Sequence, residues 1–364
     1  MSYNCTLLLT SALPIPTKTT TTKLTTTKTN SKTRHVSLRI LLWGQSLPPQ
    51  LLISTVRSTW SAAWHLVMSQ LAPSNPIDRY TRPTSQFRST QFSRKKLGIL
   101  HLYGLKDAVS VSVASLELDG SWEFRHRDIP DGDRVVPGLD NANGRKTLRQ
   151  VYRLRRWGYD SRSTVSMLLD VERKEVVCNE SYDIIELFNL GLNRLAKNPD
   201  LDLSPPSLKK KIKDWNQIIY SNVNNGVYRF AQSQQAYDSI MNELFSTLDM
   251  VDDHLGSFRY LCGDVLTLAD KCLFTTLIRF DLVYNVLFKC TKGKLIEYPN
   301  LHAYMRDIYQ IPNVAATCNF GAIMDGYYNI LFPLNPNNIR PAMLSRPKPA
   351  SLLSVDKNVQ ALVS

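Results

Sequence analysis

Acidic residues are almost missing from the first part of this chain. Residues 1–106 carry 14 Lys and Arg but a single acid, Asp78, whereas residues 107–364 balance 30 basic against 30 acidic side chains. The net charge of +13 therefore belongs to the leading segment. A recognition face for nucleic acid would have to show on the folded part, so no nucleic-acid partner is expected. Long apolar runs are missing as well. None approaches the ~20 residues needed to cross a bilayer, and no membrane partner is expected. The six cysteines, at 5, 178, 262, 272, 290 and 318, have no paired ligand spacing, which argues against a zinc or other metal site. They read instead as free thiols in a reducing compartment. No cysteine stands between Cys5 and Cys178.

What is present begins with a basic, hydroxyl-rich stretch. Thr17 to Thr33 is a Thr/Lys tract with almost no apolar content, too poor in buriable surface to offset ordering entropy. Residues 1–96 are expected to form a disordered leader. Its composition fits an organelle transit peptide, chloroplast or mitochondrial, with chloroplast the expected destination and cytoplasm the alternative; it fits equally a low-complexity tail or translated sequence that was never coding. Arg39 to Met68 has apolar content without a clean period. The remaining chain is long enough for two domains with their own cores.

Over 97–190 the pattern predicts a small α+β domain. Ala108–Ala114 alternates and is rich in valine, Thr164–Asp170 and Glu175–Cys178 read as a hairpin, and Asn179-Glu-Ser181 opens a helix over Tyr182–Asn189. Strand, hairpin and helix in that order form the second half of a thioredoxin-like fold. The helix start at Glu180-Ser181 would present main-chain N–H groups suited to a carboxylate. A polar connector over 191–206 then leads to an all-helical domain over 207–342, followed by a flexible tail, 343–364. Helices are expected at Ser207–Val223, Ser233–Leu255 with Gly256 as its stop, Leu268 to about Phe288, Asn300–Gln310 and Val314–Tyr328. Thr267 and Asp270 have capping-box spacing before the third of these, which is apolar on nearly every side and should be buried. Its charges, Arg279 and Asp281, must then be paired or face a cavity.

Gly263-Asp-x-x-Thr-x-Ala-Asp270 before a buried helix resembles the C-terminal domain of glutathione transferases. Arg279-Phe-Asp-x-Val-Tyr284, with Phe288-Lys-Cys290 after it, is similar to a narrower group: the glutathionyl-hydroquinone reductases, or xi class, of plant and cyanobacterial type. Val223-Asn-Asn-Gly-Val-Tyr-Arg229, Tyr298-Pro-Asn-Leu301, Arg306–Pro312 and Tyr327–Pro336 extend the likeness over about residues 104–342. The resemblance implies a helical domain docked on a thioredoxin-like one, glutathione as co-substrate, quinol-type substrates and a homodimer. It implies glutathione contacts from Trp122, the Val165 main chain, Glu180 and Ser181, and hydroquinone contacts from the Tyr228 and Tyr327 hydroxyls. Each has a plain alternative as a core aromatic or an ordinary acidic first turn. Arg279 and Tyr284 are expected to be an ion-pair member and a core contact.

Where the chemistry should occur the chain departs from that pattern. The family's Cys-Pro-Trp-Ala segment should fall at about Thr90 to Lys95, which reads Thr-Gln-Phe-Ser-Arg-Lys. Ser166 replaces a cis proline, and since a non-proline cis bond costs ~3–4 kcal/mol, a trans bond is expected there. Leu169 replaces a tryptophan, Tyr228-Arg-Phe-Ala231 is two residues short, and Met324 stands where a basic residue is common. Cys178 is expected to be an inert strand thiol, and Cys262, Cys272 and Cys290 core thiols. The expectation is a glutathione transferase-like protein with little or no reductase activity; the alternative is a non-catalytic binding or interaction protein on the same fold.

Overall fold

A computed structural model describes residues 5–10, 50–71, 87, 110–117, 121–125, 138–191, 200–229, 233–329, 334–335 and 337–341. The segment at Thr90–Lys95 and the tail 343–364 lie outside the described residues.

Five strands, β1 (Cys5–Thr10), β2 (Ser110–Leu116), β3 (Trp122–Glu123), β4 (Met167–Asp170) and β5 (Glu175–Cys178), form one sheet in the order β3-β2-β1-β4-β5. β1 runs parallel to β2, with Thr6 opposite Ser110 and Thr10 opposite Ala114. It runs antiparallel to β4, with Cys5 opposite Asp170 and Leu8 opposite Met167. The β4–β5 hairpin is followed directly by a helix, Ser181–Gly191, so the expected thioredoxin-like arrangement is present.

β1 corrects the leader drawn over 1–96. β2 and β4 need a strand between them to satisfy their facing main-chain groups, and Cys-Thr-Leu-Leu-Leu-Thr is a short apolar run able to fill that place. Helix α1 (Gln50–Leu71) is a second correction. Leu52, Ile53, Val56, Trp60 and Leu66 are exposed on it, so these apolar residues serve no core.

β4 shows how the sheet divides two cores. Met167 and Leu169 face a small cluster with Ala114, Phe124 and Val176, and with Leu148, Val151 and Tyr152 of helix α2 (Leu148–Tyr152). Leu168 faces the opposite way, into a larger core with Ile184 and Phe188 of α3 (Ser181–Gly191) and the helical domain. This period-2 alternation joins the two domains through one continuous apolar mass. The end of the expected linker is also tied down: the Asn189 side chain accepts from the Leu203 N–H at 2.7 Å and donates to Asp202 at 2.6 Å.

The helical domain comprises α4 (Lys209–Ile219), α5 (Gln234–Ser257), α6 (Leu268–Arg279), α7 (Pro299–Gln310) and α8 (Phe320–Tyr328). α5 starts at Ser233 as expected, but Gly256 does not stop it; the helix runs to Ser257. A Cβ at Gly256 would lie 3.2 Å from the Asn300 amide, so the glycine serves a close approach between α5 and the start of α7. The expected Val314–Tyr328 segment divides into a short turn, Val314–Thr317, and α8, whose first N–H groups are capped by Asn319.

α6 begins at the expected capping box. Its Asp270 carboxylate is fully buried and collects four donors: the Thr267 N–H and hydroxyl, both at 2.7 Å, the Leu261 N–H at 2.9 Å and the Tyr304 hydroxyl at 3.0 Å. Beyond Arg279 the helix widens into a π turn, Phe280–Tyr284, before a last α turn, Asn285–Leu287. The predicted extent to about Phe288 holds, with this one irregularity.

Candidate functional site

The π turn brings three phenols together. Tyr228, which ends a short 3₁₀ turn after α4, lies 2.6 Å from the Tyr284 hydroxyl and 2.5 Å from the Tyr327 hydroxyl of α8. The third side of the triangle, Tyr284 to Tyr327, is 3.2 Å. The Phe288 ring closes edge-on against all three tyrosine rings. Burial, with the neighbouring Tyr327 phenol next, pushes the Tyr228 hydroxyl well above its ordinary pKa, and burial does the same for Tyr284. Such phenols stay protonated at neutral pH and can each donate or accept one bond to a ring oxygen.

Arg279 sits at the edge of this cluster. Burial alone would lower its pKa, but the phenols of Tyr327, Tyr284 and Tyr228 outweigh it and the net shift is upward. The expected ion pair is not formed with any carboxylate among the described residues; one guanidinium N–H donates instead to the Thr275 carbonyl. Asp281, the nearest candidate in sequence, is taken by the main chain, accepting from the N–H groups of Leu295 at 2.7 Å and Ile296 at 3.4 Å.

The other half of the site lies at the sheet. Glu180 and Ser181 open α3, and the Glu180 N–H donates to the Cys178 sulfur at 3.4 Å. Val165 precedes β4 and packs with Trp122 of β3 against the smaller core. The Val165–Ser166 peptide is cis, which corrects the trans bond expected for serine. The residue before it is held at two points: the Thr164 carbonyl accepts from Tyr152 at 2.7 Å and its hydroxyl accepts from Asn179 at 3.2 Å.

The model described as glutathione S-transferase, C-terminal domain, matches residues 234–307. The chain is 39% identical over 253 residues to the glutathionyl-hydroquinone reductase YqjG of Escherichia coli, covering 68% of this chain and 74% of that one. It is 33% identical over 321 residues to the glutathionyl-hydroquinone reductase PcpF of Sphingobium chlorophenolicum, covering 82% and 98%. The chain belongs to the xi class of the glutathione transferases. Among solved structures, the xi enzyme of Phanerochaete chrysosporium matches with a TM-score of 0.66 at 34% identity, covering 73% of this chain and 98% of that one. The glutathione-bound Escherichia coli structure matches at 0.62, with 39% identity and coverage of 67% and 78%.

Four of the described thiols are held protonated by burial. Burial pushes Cys262 and Cys318 up, Cys272 to about 11 and Cys290 to about 12. Cys178 is buried beside the Glu180 turn. Cys5 begins β1, whereas the Val165 turn meets the sheet beyond Leu8, toward the strand's other end. Five strand steps separate Cys5 from Thr10, about 16 Å.

Sequence reasoning placed Tyr228 and Tyr327 together but missed Tyr284, since its approach depends on the π turn. It also missed Phe87, assigned to the leader. The Phe87 main chain pairs with Asn179, its N–H donating to the side-chain oxygen at 3.2 Å and its carbonyl accepting from the N–H at 3.1 Å. Its ring packs on Tyr152 and Tyr159, with the Arg155 guanidinium over it.

Proposed function

We propose that this chain holds glutathione at its sheet domain and a quinol-type aromatic against its three phenols, and that it turns the pair over weakly or not at all. The observation that carries the reading is the phenol triangle of Tyr228, Tyr284 and Tyr327 with Arg279 at its edge. A quinol is a ring with oxygens at its rim. Phenol hydroxyls can donate to those oxygens while the rings pack on its face.

On the sheet side, Glu180 and Ser181 would bind the α-amino and carboxylate end of glutathione, with the Val165 main chain and Trp122 along its cysteinyl portion. The helix start favours the carboxylate. In the parent reaction a protein thiolate attacks the sulfur of a glutathionyl-hydroquinone. The hydroquinone leaves with a proton, a mixed disulfide remains, and a second glutathione thiolate releases oxidised glutathione and restores the protein thiol. That route needs a low-pKa thiol at the mouth of the site. The chain has no cysteine from residue 6 to residue 177, and burial raises the pKa of Cys262, Cys272, Cys290 and Cys318.

The test pairs binding with turnover for the full chain. Retention on immobilised glutathione with no measurable release of hydroquinone from a glutathionyl-hydroquinone is the expected result. Turnover at the rate of an intact family member would overturn the impairment; neither retention nor turnover would overturn the binding reading. We also propose a homodimer and a chloroplast destination, to be checked by light scattering of the purified chain and by a fluorescent fusion of the full chain.

A further inference from the structure

Asn179 touches more separate parts of the sheet domain than its place before α3 requires. It is buried, 3% exposed. Its side-chain oxygen accepts from the Phe87 N–H at 3.2 Å, and its amide donates to the Tyr152 hydroxyl at 3.3 Å and the Thr164 hydroxyl at 3.2 Å. Its own N–H donates to the Phe87 carbonyl at 3.1 Å. The Tyr152 hydroxyl in turn donates to the Thr164 carbonyl at 2.7 Å. One carboxamide thus links residue 87, helix α2, the segment entering β4 and the turn entering α3.

The two outer members of this network adjoin the two halves of the glutathione cradle. Thr164 is bonded to Val165, and Asn179 is bonded to Glu180. We propose that Asn179 is a positioning residue that fixes the Val165 main chain relative to the Glu180–Ser181 helix start, and so sets glutathione affinity without touching the ligand. This rests on the glutathione reading above.

The chemistry of the carboxamide makes it suited to the task. It offers an acceptor and a two-proton donor in one plane, so the Phe87 strap and the Thr164/Tyr152 pair are held at a fixed angle. Tyr152 already gives its proton to the Thr164 carbonyl and must accept from Asn179, which an aspartate could not supply. Burial makes each partner costly to leave unpaired, so the network has one arrangement rather than several. Ligand groups held by two chain segments lose affinity when those segments move relative to each other, even when neither contact is removed.

The experiment uses the full chain, calorimetry with glutathione, and amide exchange at residues 87 and 164–166 followed by mass spectrometry. Thr164→Val removes only the hydroxyl that Asn179 reaches, and Thr164→Ser keeps it. Thr164→Val should weaken glutathione about threefold to tenfold and speed exchange at 164–166, with Thr164→Ser near wild type. Asn179→Ala should weaken it at least tenfold and release residue 87 as well. A rescue by serine marks positioning, because a purely structural loss would appear as a lower melting temperature at unchanged affinity. Wild-type affinity and exchange in Thr164→Val, or in a folded Asn179→Ala, would overturn the proposal. Should the unaltered chain fail to bind glutathione, the cradle reading falls. The network is then judged on exchange alone: faster exchange in Thr164→Val than in Thr164→Ser supports it, and equal exchange overturns it.

Discussion

The helical domain combines bonds between near neighbours with long-range ones, whereas the described sheet domain rests on a central strand drawn from far along the chain. In the helical domain the Asp270 carboxylate takes donors from Leu261 and Thr267, within nine residues, and from Tyr304 on the facing helix. Asp281 accepts from the Leu295 N–H across 14 residues, Asp252 from the Leu301 N–H across 49, and Tyr228 meets Tyr327 across 99. In the sheet domain the central pairing joins Cys5–Thr10 to residues more than a hundred positions later, and Phe87 meets Asn179 across 92 residues. The sheet domain therefore depends on one distant segment for its central strand.

The contrast can be broken most sharply through the thiols. Moving a thiol from 9.0 to about 11, as burial does for Cys272, cuts its thiolate about 100-fold, and about 12 for Cys290 cuts it about 1000-fold. Alkylation of the folded chain at pH 7, read peptide by peptide, should leave both unmodified on a timescale that labels the unfolded chain fully. Rapid labelling of either would place a usable nucleophile in the helical domain.

Next in size is Asp270→Ala. Four donors would lose their acceptor inside the core, costing about 3 kcal/mol or more of stability. Urea unfolding followed by helical signal should show it, and a loss below about 1 kcal/mol would mean the local hub does not hold the domain.

The phenols give a pH dependence of known sign. Burial raises Tyr228, Tyr284 and Tyr304 well above 10.0, so the folded chain keeps protons that the unfolded chain gives up. Their contribution is complete below pH 10 and is lost as pH rises above it, at up to about 1.4 kcal/mol per pH unit for each phenol. Phenolate absorbance from these three should therefore appear together with unfolding, and replacing Tyr228 and Tyr284 by Phe should move the alkaline midpoint upward. Gradual ionisation of the folded chain near pH 10 would contradict the burial described for the cluster.

The smallest effect is expected at Gly256→Ala. Alanine improves helix propensity by up to about 1 kcal/mol, while its Cβ presses the Asn300 amide that binds Asp252. The two should nearly cancel, within about 0.5 kcal/mol in thermal unfolding.

What could be read from sequence follows the same division. Thr267 and Asp270 stand three residues apart, so their cap is a local fact, and the buried helix after it follows from composition. Glu175–Cys178 and the start of α5 at Ser233 are likewise local signals. Arg279 was expected to find a carboxylate because burial of a lone charge is costly, but the balance is struck by phenols from three separate segments, which no spacing reveals. β1 and the Phe87–Asn179 pair were illegible because a strand or strap is defined by its partners, and these lie far downstream.

The wide turn at Phe280–Tyr284 has a further consequence for how this helix tolerates change. In an α-helix each residue advances the side-chain direction by about 100°. Here the Asn285 N–H reaches back five residues to the Phe280 carbonyl, so Asp281 caps the Leu295 turn while Tyr284 faces Tyr228. The turn works as a gear with one extra tooth. Exchange of one side chain for another at Leu282 leaves the gearing intact, whereas deleting any single residue of the five would swing Tyr284 away from Tyr228 and Asp281 away from Leu295 in one step. The reading frame of this helix is therefore held more tightly than its composition, and a one-residue deletion here should break the Tyr228–Tyr284 contact while most point changes spare it. A one-residue deletion whose Tyr228 and Tyr284 still ionise only on unfolding would show that the gearing is dispensable.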